Sequence, residues 1–145
     1  MTSAMEDAHI LMSMTYASRA NTDVSAKDFN EILQQAQLDN AANGITGMLT
    51  FNKDYFLQTI EGSRAQINRL LYSLIADPRH HDLQVIETRE LKHRIWSKWS
   101  MNYASPTEKN AAIYLKYSTT IDFNPYLLSA ESARDLMSEL SDRHD

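Results

Sequence analysis

The stretch NGITGMLTFNKDYFLQTIEG, residues 43–62, decides the fold. Two apolar runs, 45–51 and 55–61, flank a polar turn at 52–54, a pattern typical of a β-hairpin. Gln58 is a polar residue among apolar neighbours in the second run, which predicts a buried amide that needs a hydrogen-bond partner. All three glycines of the chain also fall in this stretch, where we expect turns or close approaches to the backbone, at Gly44, Gly47 and Gly62.

The composition predicts one folded domain. The chain has 145 residues, 43% of them apolar, which is enough for a substantial core. A net charge of −5 argues against an electrostatic surface for nucleic acid, and the absence of cysteine excludes disulfides and thiolate chemistry. The N-terminus lacks the basic segment of a signal peptide and the long apolar run of a membrane span. We therefore expect a soluble, cytoplasmic protein that does not bind nucleic acid directly and does not contact membranes.

Outward from the hairpin, the pattern predicts the element order βαββαββ. This order is typical of an α+β, ferredoxin-like sandwich, with a mixed five-stranded sheet and two helices on one face. The further segments are a strand at 10–18, a helix from the capping box Ser25–Asp28, a helix from the capping box Ser63–Gln66 to Asp77, and strands at 83–88 and 99–103. The second helix has an apolar stripe at Ile67, Leu70, Leu71, Leu74 and Ile75.

Pro106 interrupts this pattern. Weaker helical signals follow at 107–117 and 129–140. We expect one domain at 8–105 and a C-terminal helical extension at 106–145, which either covers one face of the sheet or serves a separate function.

Three polar residues fall on faces that the periodicity predicts to be buried. They are Tyr16 in the first strand, Asn40 near the end of the first helix, and Gln58. Each could be satisfied by the backbone or by a neighbour. Together they predict one polar spot between sheet and helices, suited to a planar ligand with amide and carbonyl edges. The acidic residues at the strand ends, Asp54 and Glu61, are expected to be solvated.

Arg79, His80 and His81 follow the second helix. Adjacent histidines on an extended segment point to opposite sides, and no third ligand has suitable spacing, so we predict no metal site. The Arg79 guanidinium could contact a phosphate, although simple exposure to solvent is the more common arrangement.

With these residues in view, the chain resembles the BLUF domains, which are blue-light sensors that use FAD. The resemblance covers about residues 10–104, which is essentially the whole predicted domain. It is carried by TYAS (15–18), DNAANGITGMLTFNKDYFLQTIEG (39–62), ADPRHHD (76–82) and WSMNY (99–103).

The resemblance implies a set of site residues. Tyr16 would be the photoactive tyrosine and Gln58 the glutamine between it and the flavin. Asn40 would bond the polar edge of the flavin ring. Ile32 and Leu74 would flank the ring. Arg79 and His80 would lie near the polar side of the cofactor. Trp99 and Met101 would relay the signal. Two positions depart from the family, Asp39 where histidine or asparagine is common and Ser73 where a basic residue is common.

The resemblance also implies a mechanism and a kind of partner. Blue light would make the flavin an oxidant, Tyr16 would give an electron and then a proton through Gln58, and the Gln58 amide would be left rearranged. The protein would be a photoreceptor and not an enzyme. It would signal to a separate effector, a cyclic-di-nucleotide phosphodiesterase or a transcriptional regulator, and would self-associate into a homo-oligomer.

Two other functions fit the same fold class. A ligand-free protein-interaction module would use the sheet face or the C-terminal extension and would bind no chromophore. An acylphosphatase-like hydrolase needs an arginine in an anion-binding loop, and Arg79 does not lie in such a loop.

Overall fold

A computed structural model describes residues 10–21, 25–96, 102–104, 110–119 and 122–141. The elements within these ranges occur in the predicted order. They are β1 (Leu11–Ala20), α1 (Ala26–Ala42), β2 (Thr46–Phe51), β3 (Tyr55–Ser63), α2 (Arg64–Ala76), β4 (His80–Glu90), β5 (Asn102–Ala104), α3 (Ala111–Lys116), a 3-10 turn (Pro125–Leu127) and α4 (Ala130–Ser141).

The five strands form one mixed sheet in the order β4-β1-β3-β2-β5. Three pairs of neighbouring strands are antiparallel, namely β4 with β1, β1 with β3, and β3 with β2. Strand β5 pairs parallel with β2. This arrangement confirms the predicted α+β ferredoxin-like fold. The register places Tyr16 of β1 directly opposite Gln58 of β3, and Leu49 of β2 opposite Gln58 on its other side.

Helices α1 and α2 cover one face of the sheet. The predicted capping box at α1 is present, since Ser25 accepts from the Asp28 backbone N–H and Asp28 accepts from the Ser25 backbone N–H. At α2, the Ser63 side chain accepts from the Gln66 backbone N–H. Between helices and sheet lies a core that includes Met14, Phe29, Leu49, Phe56, Ile60 and Ile67.

The C-terminal helices cover the other face of the sheet. Leu136, Met137 and Leu140 of α4 are fully buried against a cluster that includes Met48 of β2 and Leu57 of β3. The sheet is therefore enclosed on both sides, which a sheet with two apolar faces requires.

The glycines of the opening stretch mark a turn and a close approach. Gly44 has φ +66°, the left-handed conformation that ends the α1 region, as predicted. Gly62 marks the close approach and not a turn, because it continues the β1–β3 ladder opposite Met12. A Cβ at Gly62 would lie 3.2 Å from the Ile45 side chain, a tight contact, so a larger residue there would require Ile45 to shift slightly.

Three other predictions need correction. Ile75 is 61% exposed, because the stripe of α2 turns away from the sheet before the helix ends. β4 begins at His80 rather than at residue 83, since it is an edge strand whose polar residues tolerate solvent. Glu61 is fully buried, whereas Asp54 is exposed as predicted.

Trp99 and Met101, the predicted relay residues, lie outside the described residues. The predicted domain boundary near residue 105 lies outside them as well and stays a prediction. No helix in the described ranges has the length and apolar character needed to cross a bilayer.

Candidate functional site

A cavity of about 210 Å³ lies between the sheet and helices α1 and α2. Strands β1, β2 and β3, both helices and the start of β4 contribute to its walls. All seven residues predicted to bind a cofactor line it: Tyr16, Ile32, Asn40, Gln58, Leu74, Arg79 and His80. The structure thus gathers, from six separate elements and connections, residues that are up to 64 positions apart in the chain.

A hydrogen bond joins Tyr16 and Gln58 at the floor of the cavity. The two residues are cross-strand neighbours on the same face of the sheet, and both are buried. The Tyr16 hydroxyl donates to Oε1 of Gln58. Because the amide oxygen accepts, the two N–H donors of Gln58 lie on the other branch of the same planar head.

Burial raises the pKa of the Tyr16 phenol well above its usual range, and the negative charge of Asp77 adds to this effect. Tyr16 is therefore a neutral hydroxyl group at physiological pH. Because the phenol is neutral, its hydroxyl retains the proton and can act as the hydrogen-bond donor to Gln58.

Asn40 lies at the cavity end of α1 and is buried. Its backbone carbonyl accepts from the Ile45 N–H at 2.8 Å and from the Asn43 N–H at 3.1 Å, which ties the end of the helix to the start of β2. These bonds fix the backbone from which the Asn40 side chain reaches the cavity.

Apolar side chains form the walls on either side of these polar groups. Ile32 comes from α1 and Leu74 from α2, and both are half-buried. Leu49 and Phe56 of the sheet lie between them. A slot with apolar walls and amide groups at one end suits a flat aromatic molecule with a polar edge.

An ion pair borders the cavity at the C-terminal end of α2. Arg79 Nη2 lies 2.6 Å from Asp77 Oδ2, and Arg79 Nε donates to Asp77 Oδ1 at 2.9 Å. The Arg79 guanidinium holds the pKa of the Asp77 carboxyl below its usual range. Arg79 is thus paired with an acidic residue and is not simply exposed to solvent.

His80 ties α2 to β1. Its Nε2 donates to the Leu74 carbonyl, and its Nδ1 lies 2.7 Å from the Ser18 hydroxyl oxygen. Since a carbonyl only accepts, Nε2 must carry a proton. Both ring nitrogens therefore have protein partners, and His80 positions the cavity wall through Leu74.

The comparison with known proteins decides the family. The family model described as "BLUF: Sensors of blue-light using FAD" matches residues 11–102. The chain belongs to the BLUF family. The match covers strands β1 to β4 and both helices that enclose the cavity.

Individual relatives agree with this assignment. The photoactivated adenylate cyclase subunit beta of Euglena gracilis is 32% identical over 105 residues, which are 72% of this chain and 12% of that protein. The blue light- and temperature-regulated antirepressor BluF of Escherichia coli is 30% identical over 74 residues, 51% of this chain and 18% of that protein. This chain thus spans less than a fifth of either curated relative.

Among solved structures, that of BlsA in its photo-activated state superposes with a TM-score of 0.81 at 27% identity. The superposition covers 90% of this chain and 94% of the BlsA chain, so the likeness extends beyond the BLUF domain into the C-terminal segment.

The two departures from the family pattern both border the cavity. Asp39 Oδ1 accepts from Nε2 of Gln35 at 2.9 Å, four residues earlier on α1. The Ser73 hydroxyl donates to the Arg69 carbonyl at 3.4 Å within α2. Both polar groups are thus engaged within their own helices.

Sequence reasoning missed several residues at this site. Gln35 and Asp77 line the cavity, and Ser18 anchors His80. Asp77 could have been considered, because it directly precedes the Pro78 break next to Arg79. Ser18 could also have been considered, because it lies two residues after Tyr16 and therefore on the same predicted face of the first strand. Gln35 gave no such signal, since polar residues on a helix are most often exposed.

Proposed function

We propose that this BLUF protein is a blue-light photoreceptor that binds FAD in the cavity between its two helices and its sheet. The observation that carries the proposal is the hydrogen bond from the neutral Tyr16 phenol to Gln58, placed at a cavity with apolar walls. Membership of the family supports the flavin as ligand. Membership of the BLUF family does not favour the two other functions considered from the sequence, the hydrolase and the ligand-free interaction module.

The residues present fit such a group. Ile32 and Leu74 would flank the flat ring, and Asn40 and Gln58 would meet its polar edge. Arg79 would act on the polar side of the cofactor together with its partner Asp77. When bound, FAD would supply the absorption of blue light and the oxidising power.

In this proposal the Tyr16–Gln58 pair is the switching element. With FAD bound as the oxidant, Tyr16 would give up one electron, which would make its phenolic proton strongly acidic, and the proton would move along the existing hydrogen bond to Oε1 of Gln58. The Gln58 head carries donor and acceptor on one plane, so a half-turn or a tautomeric change exchanges them. The return of the electron and the proton to Tyr16 leaves no net oxidation, but leaves the amide in its new arrangement.

The output is proposed to act on a separate protein. We infer that residues 8–105 form the sensor, that Trp99 and Met101 relay the change, and that residues 106–145 present it to the partner. The relatives are named as a photoactivated cyclase and as an antirepressor, which supports an effector of the nucleotide-signalling or transcriptional class. Self-association of the photoreceptor remains part of the proposal.

The proposal is tested by adding FAD to the purified protein and comparing two adjacent substitutions on α2. Leu74→Glu places a charge in the cavity wall, whereas Ile75→Glu places one on an exposed position. We expect Leu74→Glu to weaken FAD binding at least tenfold, which is about 1.4 kcal/mol, and Ile75→Glu to bind like the wild type. The bound flavin of the wild type should show a red shift under blue light that reverses in the dark.

A colourless protein that takes up no FAD would contradict the proposal. Unchanged FAD affinity of Leu74→Glu would show that the cofactor binds elsewhere.

A further inference from the structure

Glu61 is a fully buried acidic residue on the face of the sheet opposite the cavity. It lies in β3, three residues after Gln58, so that the two side chains point to opposite faces. Burying a carboxylate is costly unless hydrogen bonds compensate it.

Both carboxylate oxygens of Glu61 hold the segment between β4 and β5. Oε2 accepts from the Ile95 backbone N–H at 2.7 Å, and Oε1 accepts from the Trp96 backbone N–H at 2.9 Å. The Thr46 hydroxyl donates to Oε1 at 3.1 Å. The carboxylate therefore fastens the 95–96 backbone to β3 and β2.

Arg94 closes the same arrangement from the other side. Its guanidinium donates to the Thr46 hydroxyl oxygen at 2.8 Å, to the Glu61 backbone carbonyl at 3.1 Å and to the Gly44 carbonyl at 2.6 Å. We name this set the Glu61–Arg94 clamp; it comprises the side chains of Glu61, Arg94 and Thr46 and the backbone of Gly44, Ile95 and Trp96.

The clamp is connected through the backbone to the two amide residues of the cavity, Gln58 and Asn40. Gln58 is on the strand that carries Glu61, and the Gly44 carbonyl that Arg94 binds belongs to the turn that follows Asn40. Ile45 in that turn donates its N–H to the Asn40 carbonyl, and its side chain lies 3.2 Å from the position that a Cβ at Gly62 would take. Gln58 and Asn40 are thus each only a few residues along the chain from the clamp, so a shift of either residue can reach it through the backbone.

On its far side, the clamp ends at Trp96. This side chain is buried in the cluster that includes Leu57, the neighbour of Gln58, and residues of α3 and α4. Its indole N–H has no hydrogen-bond partner within the described part of the chain, so packing and the clamp hold it in place. Trp96 therefore connects the clamped backbone to the C-terminal helices.

We propose that the Glu61–Arg94 clamp is a positioning device that carries a rearrangement at Gln58 and Asn40 to Trp96 and from there to α3 and α4. The proposal rests on the proposed photoreceptor function. Its physical basis is that a buried carboxylate cannot release its N–H partners without leaving an uncompensated charge. The 94–96 backbone must therefore follow β3 when the strand moves.

The test is hydrogen–deuterium exchange of α4 in the FAD-loaded full chain, measured in the dark and under blue light, beside the absorption difference spectrum. In the wild type we expect light to change exchange in α4. Glu61→Gln puts an amide N–H₂ against backbone N–H donors, and should keep the red shift but lose the light-minus-dark difference in α4. Arg94→Met leaves the carboxylate in place and should do the same.

Two variants control for general effects. Asp54→Asn makes the same acid-to-amide change at an exposed position of the same hairpin. Thr15→Val removes the buried hydrogen bond to the Thr59 hydroxyl, 2.7 Å, without touching the clamp. Both should keep the red shift and the α4 difference.

The proposal is overturned if folded Glu61→Gln keeps the wild-type difference in α4, or, where Glu61→Gln does not fold, if Arg94→Met keeps it. Loss of the difference in Thr15→Val would also overturn it, because any destabilised sheet would then behave alike. A red-shifting wild type with no α4 difference contradicts the clamp alone. A wild type without a red shift contradicts the photoreceptor function.

Discussion

At the scale of the residue, the molecule depends on polar groups buried where water cannot reach them. Tyr16, Asn40 and Gln58 face the cavity, and each could be predicted because it interrupts an apolar period. Glu61 could not, because an acid at a predicted strand end resembles a solvated residue until the 94–96 segment is placed over it.

The protonation state of Tyr16 leads to a prediction on pH. Its pKa is raised above the usual 10.0 by burial, so the folded state binds the phenolic proton more tightly than the unfolded state. The corresponding stability is present below pH 10 and is lost as pH rises further, toward the folded pKa. We expect the amplitude of the light-induced red shift to stay constant between about pH 7 and pH 9. A fall in amplitude with a midpoint below pH 9 would mean that Tyr16 ionises in the folded protein.

At the scale of the element, local signals and tertiary contacts contribute differently. The capping box at Ser25 and the stop at Asp77 are local, and both appear where the sequence places them. The start of β4 at His80 depends on pairing with Ala20 of β1, and the exposure of Ile75 depends on how far the sheet extends beneath α2. Neither dependence is visible in a local window of sequence.

The N-terminal cap of α1 can be tested directly. Ser25→Ala removes the acceptor for the Asp28 N–H, and should lower the free energy of unfolding by about 1 kcal/mol. Ser138→Ala on the exposed side of α4 is the matched change, and should leave stability equal or slightly higher, because alanine favours the helix interior. Urea denaturation measures both. Equal midpoints for Ser25→Ala and the wild type would show that the cap does not contribute.

At the scale of the whole molecule, one sheet supports two cores with different tasks. The core beneath α1 and α2 contains the cavity, and the core beneath the C-terminal helices is closed by α4. The sequence predicted helices in the extension but left open whether they cover the sheet, since their apolar stripe is narrow and their partners are distant in sequence. The buried positions on α4 show that the extension completes the fold, whatever output it also carries.

Two leucines of the extension test this second core. Leu140→Ala deletes a fully buried side chain and should cost about 2–5 kcal/mol in the free energy of unfolding. Leu127→Ala removes a side chain that is 75% exposed, and should change stability by less than about 0.5 kcal/mol. Urea denaturation of the two variants compares them directly. Similar stabilities for both would mean that the C-terminal helices do not share a core with the sheet.

The central claim is that the Tyr16 hydroxyl, bonded to Gln58 beside the cavity, is the photoactive group. Its most direct test is the light-minus-dark absorption spectrum of FAD-loaded Tyr16→Phe, with Tyr114→Phe as control. Tyr114 is also a buried tyrosine with a hydrogen-bonded hydroxyl, but it bonds Thr50 on the opposite face of the sheet. We predict that Tyr16→Phe binds FAD and shows no reversible red shift, whereas Tyr114→Phe shifts like the wild type. A full, reversible red shift in Tyr16→Phe would contradict the account.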